Sequence, residues 1–190
     1  DLTTFSFFPT KNITSGEGGA IASNNEDLLL KAKRFSRQGM VKNQDEMILE
    51  IDGPWHQEVH KFGLNYRLPD VLCALGISQL LRIQEFKKSR AELFSKYQEI
   101  FADNKNLRLP NKKNFVDPMW HLYPIRVPSE KRRETFIKLR ENGIGVQVNY
   151  LPAHMHPVFA KKQIHSNSFP VAEKFYSEEI SLPMMSFNSQ

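Results

Sequence analysis

The 190-residue sequence predicts an α/β chain in two parts, strands with a surface helix first and a small α+β unit from Leu107 onward. Three observations predict it. Two β-prone segments, TTFSFF (3–8) and GGAIAS (18–23), bracket a connection rich in glycine. A helical pattern then runs from Pro69 to about Phe101 and joins the two parts. Beyond Leu107, strand-like and helix-like periods alternate on a smaller scale.

The elements follow in chain order. Residues 3–8 and 18–23 read as two short strands, the second buried, so Lys11 lies in the connection between them. Ser23 and Glu26 stand at capping-box spacing, and Leu28, Ala32 and Phe35 recur at helical intervals until Gly39 stops the run. Residues 40–62 are polar, contain Pro54 and read as a long irregular loop. Pro69 opens a helix with Leu72, Leu75, Leu80 and Ile83 along one side, while Ala74, Gly76 and Ser78 allow close approach of another element. An amphipathic helix over 84–101 completes the connector. MWHLYPIRV (119–127) reads as a strand, Ser129 as the cap of a helix ending at Asn142 and Gly143, and GVQVNY (145–150) as a second strand. One more helix and an extended end follow in FPVAEKFYSEEISLP.

Composition excludes several classes. The single cysteine, Cys73, leaves no disulfide framework and no cysteine-only metal site, and it suits a reducing, cytoplasmic setting. No apolar run reaches the roughly 20 residues a membrane helix needs. The net charge of +5 would suit nucleic acid or phosphorylated ligands. Yet the basic residues alternate with acids along helical faces, as in RIQEFKKSRAELFSKYQEIF, which reads as solvated surface; a nucleic-acid role is set aside.

Residues 5–21, FSFFPTKNITSGEGGAI, place Lys11 beside Gly16, Gly18 and Gly19. No Lys-Ser or Lys-Thr pair follows the glycines, so this is not a Walker loop, and Ile21 fills the third glycine slot of the dinucleotide pattern. Glycines here still let backbone approach something flat. Lys11 is then either a surface lysine on a polar turn or a nucleophilic amine that forms a Schiff base with an aldehyde cofactor. Composition does not choose between them.

The segment DLTTFSFFPTKNITSGEGGAIASNN resembles the surroundings of the Schiff-base lysine in the DegT/StrS family of nucleotide-sugar aminotransferases, which have fold type I and use pyridoxal 5′-phosphate (PLP). GLNYRLPDVLCALGISQL (63–80) resembles that family's second signature, and NYLPAHMHPVF with FPVAEKFYSEEISLPM (149–184) its C-terminal region. Within the family, this C-terminal wording is most similar to transaminases of the pseudaminic acid pathway. Family members are roughly twice as long, so the resemblance implies a fragment without a front half and a final helix. Residues 1–82 would then end the large cofactor-binding domain, with 83–190 the small one.

Carried over by position, the resemblance makes Lys11 the Schiff-base lysine and proton shuttle. Ser6 would hydrogen-bond the cofactor phosphate, and Asn65 would reach that phosphate from the other subunit of a homodimer with shared active sites. Arg67 either forks a phosphate or caps a helix. His154 and His156 would lie along the sugar-nucleotide cleft; their spacing lacks a third ligand, so no metal is expected. The implied reaction transfers an amino group, with glutamate as donor, to carbon 4 of a UDP-linked 4-keto-6-deoxy sugar for glycan biosynthesis. A dehydratase branch carries histidine in place of the lysine, which Lys11 opposes; a non-catalytic regulator on this fold is the other alternative.

Overall fold

The computed structural model describes residues 1–162 and 168–185. The chain divides into two compact units, Asp1–Ile83 and Gln84–Gln190.

The first unit opens with an antiparallel hairpin of β1 (Thr3–Ser6) and β2 (Gly19–Ala22), in register from Thr3 opposite Ala22 to Ser6 opposite Gly19. Both strands are exposed throughout, with Phe5 and Ile21 about half accessible, which corrects the expectation that the second is buried. Helix α1 (Glu26–Phe35) is capped by Asn25, whose side chain accepts the Leu28 N–H at 3.0 Å. Ser23, the expected cap, lies too early: its hydroxyl donates to the Asp1 carbonyl and accepts the Asn25 N–H. Acidic Glu26 and Asp27 at the start and basic Lys33 and Arg34 at the end complement the helix dipole. The chain leaves α1 through Gln38 and Gly39, both at positive φ, and the Gly39 N–H closes on the Arg34 carbonyl.

Residues 40–62 are more regular than their sequence suggests. Strands β3 (Met40–Val41) and β4 (Glu58–Val59) pair antiparallel, with a single 3-10 turn at Gln44–Glu46 between them. Helix α2 (Asp70–Leu81) follows Pro69, and α3 (Ile83–Phe101) follows after a break at Arg82. Helix α2 buries none of its side chains, so its leucine row packs only partially. Gly76 faces Ser15, and a β-carbon there would meet it at 3.7 Å, an ordinary contact that does not require glycine.

The second unit holds the core. Strand β5 (Tyr123–Arg126) pairs antiparallel with β6 (Glu179–Leu182), and helices α4 (Ser129–Glu141) and α5 (Pro170–Glu178) complete the α+β arrangement. Phe94, Tyr123, Ile125, Val127, Val146, Ile180, Leu182 and Met184 form one buried cluster. Val41 is the one buried apolar side chain outside it among the described residues.

Two expected strands are shorter or absent for visible reasons. The strand predicted from Met119 begins only at Tyr123, because Trp120 turns to stack on Phe94 at 3.8 Å and its carbonyl accepts from Arg90. Residues 145–150 form one bridge, Gln147 to Ser181; the next available N–H, from Asn149, goes to the Glu179 carboxylate at 2.9 Å in place of a ladder. Gly143 ends α4 at φ +79° as expected, but Ser129 is the first helical residue and no side chain caps the start of that helix. The helix and extended end expected over 169–183 are α5 and β6.

Candidate active site

Lys11 sits on a connection pinned at both ends. Phe8-Pro9-Thr10-Lys11 forms a β-turn in which the Lys11 N–H donates to the Phe8 carbonyl at 2.9 Å and Pro9 occupies the position that favours proline. The return path closes on Phe7, whose carbonyl accepts from the Thr14 hydroxyl (2.8 Å) and the Ser15 N–H (3.1 Å), while its N–H donates to Gly18 (2.9 Å). Ser15 is fully buried and its hydroxyl donates to Glu17. A short loop with this many internal bonds has little freedom, and it holds Lys11 half-buried at its turn.

The glycines fit the loop against the start of α2. At Gly18, φ is +135°, and a β-carbon would lie 2.8 Å from Leu68 Cδ1 and 3.0 Å from Ser15 Oγ; only glycine permits that approach. The Lys11 loop therefore rests on the segment that directly follows Asn65 and Arg67.

The predicted residues fall into three groups. Ser6 ends β1 with an exposed hydroxyl that accepts the Phe8 N–H at 3.5 Å. Asn65 bridges to Arg37 through the backbone, and its Oδ1 accepts Arg67 Nε at 2.9 Å. Arg67 thus holds Asn65 and does not cap α2, whose cap position is Pro69. In the second unit, His154 is nearly buried, with Nε2 2.9 Å from Glu173 and its ring tilted against Phe169. The carboxylate holds that ring in place, whereas His156 is exposed. Among the described residues, no group of three or more His, Cys, Asp or Glu is arranged to hold a metal ion. No helix among them is long and apolar enough to cross a membrane.

Sequence reasoning missed two constellations. Glu58, in HQEVH, accepts the Ile48 and Leu49 N–H groups and lies 3.2 Å from His56 Nε2 and 2.5 Å from His60 Nε2. The Ile48 N–H above all, then His60 and Leu49, hold its carboxyl at about 2. The alternation His-x-Glu-x-His was the available signal, since on an extended segment it puts all three on one face. Glu179, fully buried, binds the Ser181 hydroxyl and the Asn149 N–H; burial pushes its carboxyl above the ordinary range.

The model of the DegT/DnrJ/EryC1/StrS aminotransferase family matches residues 1–188, and the chain belongs to that family. It is 38% identical, over 96% of its length and 47% of the relative's, to the UDP-4-amino-4,6-dideoxy-N-acetyl-beta-L-altrosamine transaminase of Campylobacter jejuni. Among solved structures it resembles Helicobacter pylori PseC, an aminotransferase involved in the biosynthesis of pseudoaminic acid, with a TM-score of 0.85 and 31% identity over 96% of this chain and 47% of that one. Spr1654 from Streptococcus pneumoniae, solved in a PLP-form, shares the fold with a TM-score of 0.85 at 24% identity, over 98% and 47% of the two chains. The chain spans about half the length of the curated relatives it matches. These matches define a mixed α/β, fold type I sugar-aminotransferase architecture over that half.

Proposed function

We propose that residues 1–190 carry the lysine-bearing part of a PLP-dependent nucleotide-sugar aminotransferase. It would move an amino group from glutamate to carbon 4 of a UDP-linked 4-keto-6-deoxy sugar, leaving 2-oxoglutarate and a 4-amino sugar for glycan biosynthesis. The observation that carries this reading is the half-buried Lys11 on a hydrogen-bonded loop, within a chain of this aminotransferase family.

The residues present fit PLP. Lys11 offers an amine for its aldehyde, and its Nζ is the group that would take and return the proton at the reacting carbon. Ser6 accepts only a long bond from Phe8, so its O–H is available to donate to a phosphate. Asn65 has its oxygen fixed by Arg67, which leaves its N–H₂ to donate. In a twofold dimer Asn65 would serve the site built on the partner's lysine. His156, exposed on the 149–159 segment, is the histidine open to a nucleotide sugar, while Glu173 orients His154. PLP, when bound, supplies the electron sink.

The test uses a protein of the relatives' length that contains this chain. Supplied with PLP, glutamate and a UDP-4-keto-6-deoxy sugar, it should release 2-oxoglutarate in step with the 4-amino sugar, and Lys11→Ala should release neither. Absence of 2-oxoglutarate from the folded, PLP-loaded wild type across a panel of 4-keto sugars would reject the reading.

A further inference from the structure

The loop that carries Lys11 is closed by a side chain as well as by backbone. Thr14 Oγ1 donates to the Phe7 carbonyl at 2.8 Å, across seven positions in sequence, and accepts the Gly16 N–H at 2.9 Å. The first bond ties the end of the loop to its beginning, with Lys11 between them. The second shapes the exit, where Gly16 stands at φ +83°. One hydroxyl therefore fixes both the closure around Lys11 and the path on to Gly18.

The neighbouring bonds show what that hydroxyl adds. The Phe7 carbonyl also accepts the Ser15 N–H at 3.1 Å, so backbone alone would keep the loop closed, but through a single bond about which residues 8–14 can pivot. Thr14 places a second donor on the same oxygen and removes that pivot. Ser15 does not do the same work, because its hydroxyl donates to the Glu17 carbonyl within the glycine run. Without Thr14 Oγ1 the part-buried Gly16 N–H would also lose its acceptor.

We propose that Thr14 is a positioning residue for Lys11: its hydroxyl holds the loop in the one arrangement that presents Nζ to the aldehyde carbon of PLP. Thr14 acts through the loop. The inference rests on the reading that Lys11 carries PLP, and it holds for any sugar and any amino donor.

The test uses a protein of the relatives' length that contains this chain, and it separates attachment of PLP from binding. In attachment the Lys11 Nζ bonds the aldehyde carbon and water leaves; it is read as the rate at which borohydride-trapped label builds up on Lys11 after PLP is added to cofactor-free protein. Binding is read by calorimetry with 4′-deoxypyridoxine 5′-phosphate, which keeps the ring and phosphate and lacks the aldehyde. Thr14→Val keeps the shape and removes both bonds; it should slow attachment at least about fivefold, the weight of one lost hydrogen bond, and leave the analogue's affinity within about twofold. Thr14→Ser, which restores the hydroxyl, should return the wild-type rate. Ser23→Ala removes a hydroxyl bonded in the same two ways just past β2, donating to Asp1 and accepting from Asn25, and should change neither reading. Should the valine methyl press on the Phe7 carbonyl and lower the melting temperature, Thr14→Ala removes the hydroxyl without that contact and should show the same slowing. Attachment at the wild-type rate in folded Thr14→Val or Thr14→Ala, or an equal loss of attachment and analogue binding, would overturn this inference alone. A wild type that binds PLP and gains no label on Lys11 would overturn the reading beneath it, and the inference with it.

Discussion

Replacing Ile180 with alanine tests whether the second unit carries its own core. Ile180 is fully buried in β6, opposite Ile125 and within the cluster of Phe94, Tyr123, Val127 and Val146. The substitution deletes three carbons, roughly 2.4 kcal/mol at about 0.8 kcal/mol per carbon. The cavity left among aromatic side chains adds to that, giving about 3–4 kcal/mol. For a unit of about 100 residues this lowers the melting temperature by roughly 12–32 °C. The matched control is Ile21→Ala in β2, where the side chain is 48% exposed and the cost should stay within about 0.5 kcal/mol. Urea unfolding followed by circular dichroism, with tryptophan fluorescence from Trp120 stacked on Phe94, reads both variants. Equal losses, or a loss below about 1 kcal/mol at Ile180, would refute the placement of the core.

Three further outcomes follow from the geometry. Glu58 has a folded-state carboxyl at about 2 against an ordinary 4.5, so its contribution is complete above pH 4.5 and fades as pH falls toward 2. Glu58→Gln should flatten the melting-temperature profile in that window and leave its shape unchanged above it. Gly39→Ala should cost at least about 2 kcal/mol, because φ is +72° and the new carbon would lie 1.6 Å from the Lys61 carbonyl oxygen; loss of protease resistance over 35–65 would report it. Finally, mixing Lys11→Ala with Asn65→Ala in proteins of the relatives' length should restore activity toward about a quarter of wild type, since half the dimers are mixed and each keeps one intact site. Activity never exceeding the mean of the parents, with exchange verified, would reject the shared site.

Local signals proved readable where the chain itself decides the outcome. Gly143 ends α4 because a left-handed residue costs glycine nothing, and Pro69 marks the start of α2 because proline lacks an N–H to lose. Readings failed where a non-local partner intervened. Trp120 left its strand for Phe94, a contact across 26 residues, and Asn149 gave its N–H to a carboxylate 30 residues away. At the start of α1 two suitable caps compete within three residues, and Asn25 takes the Leu28 N–H while Ser23 turns to Asp1. For the site, the tight glycine-bearing loop around Lys11 was legible, since Gly18 at φ +135° packs against Leu68. The carboxylate held between His56 and His60 was not, because HQEVH sits in a polar stretch around Pro54 that reads as irregular loop until β4 pairs with β3.

The most direct test of the account is chemical and concerns one nitrogen. A protein of the relatives' length that contains this chain is incubated with PLP near neutral pH, reduced with borohydride and digested, and the peptides are mapped by mass spectrometry. The account predicts a phosphopyridoxyl group on Lys11, in the peptide spanning Phe5–Ile21, and a Lys11→Ala protein that releases all its PLP on dialysis after the same treatment. Stoichiometric labelling of any other lysine, with Lys11 unmodified, would contradict it.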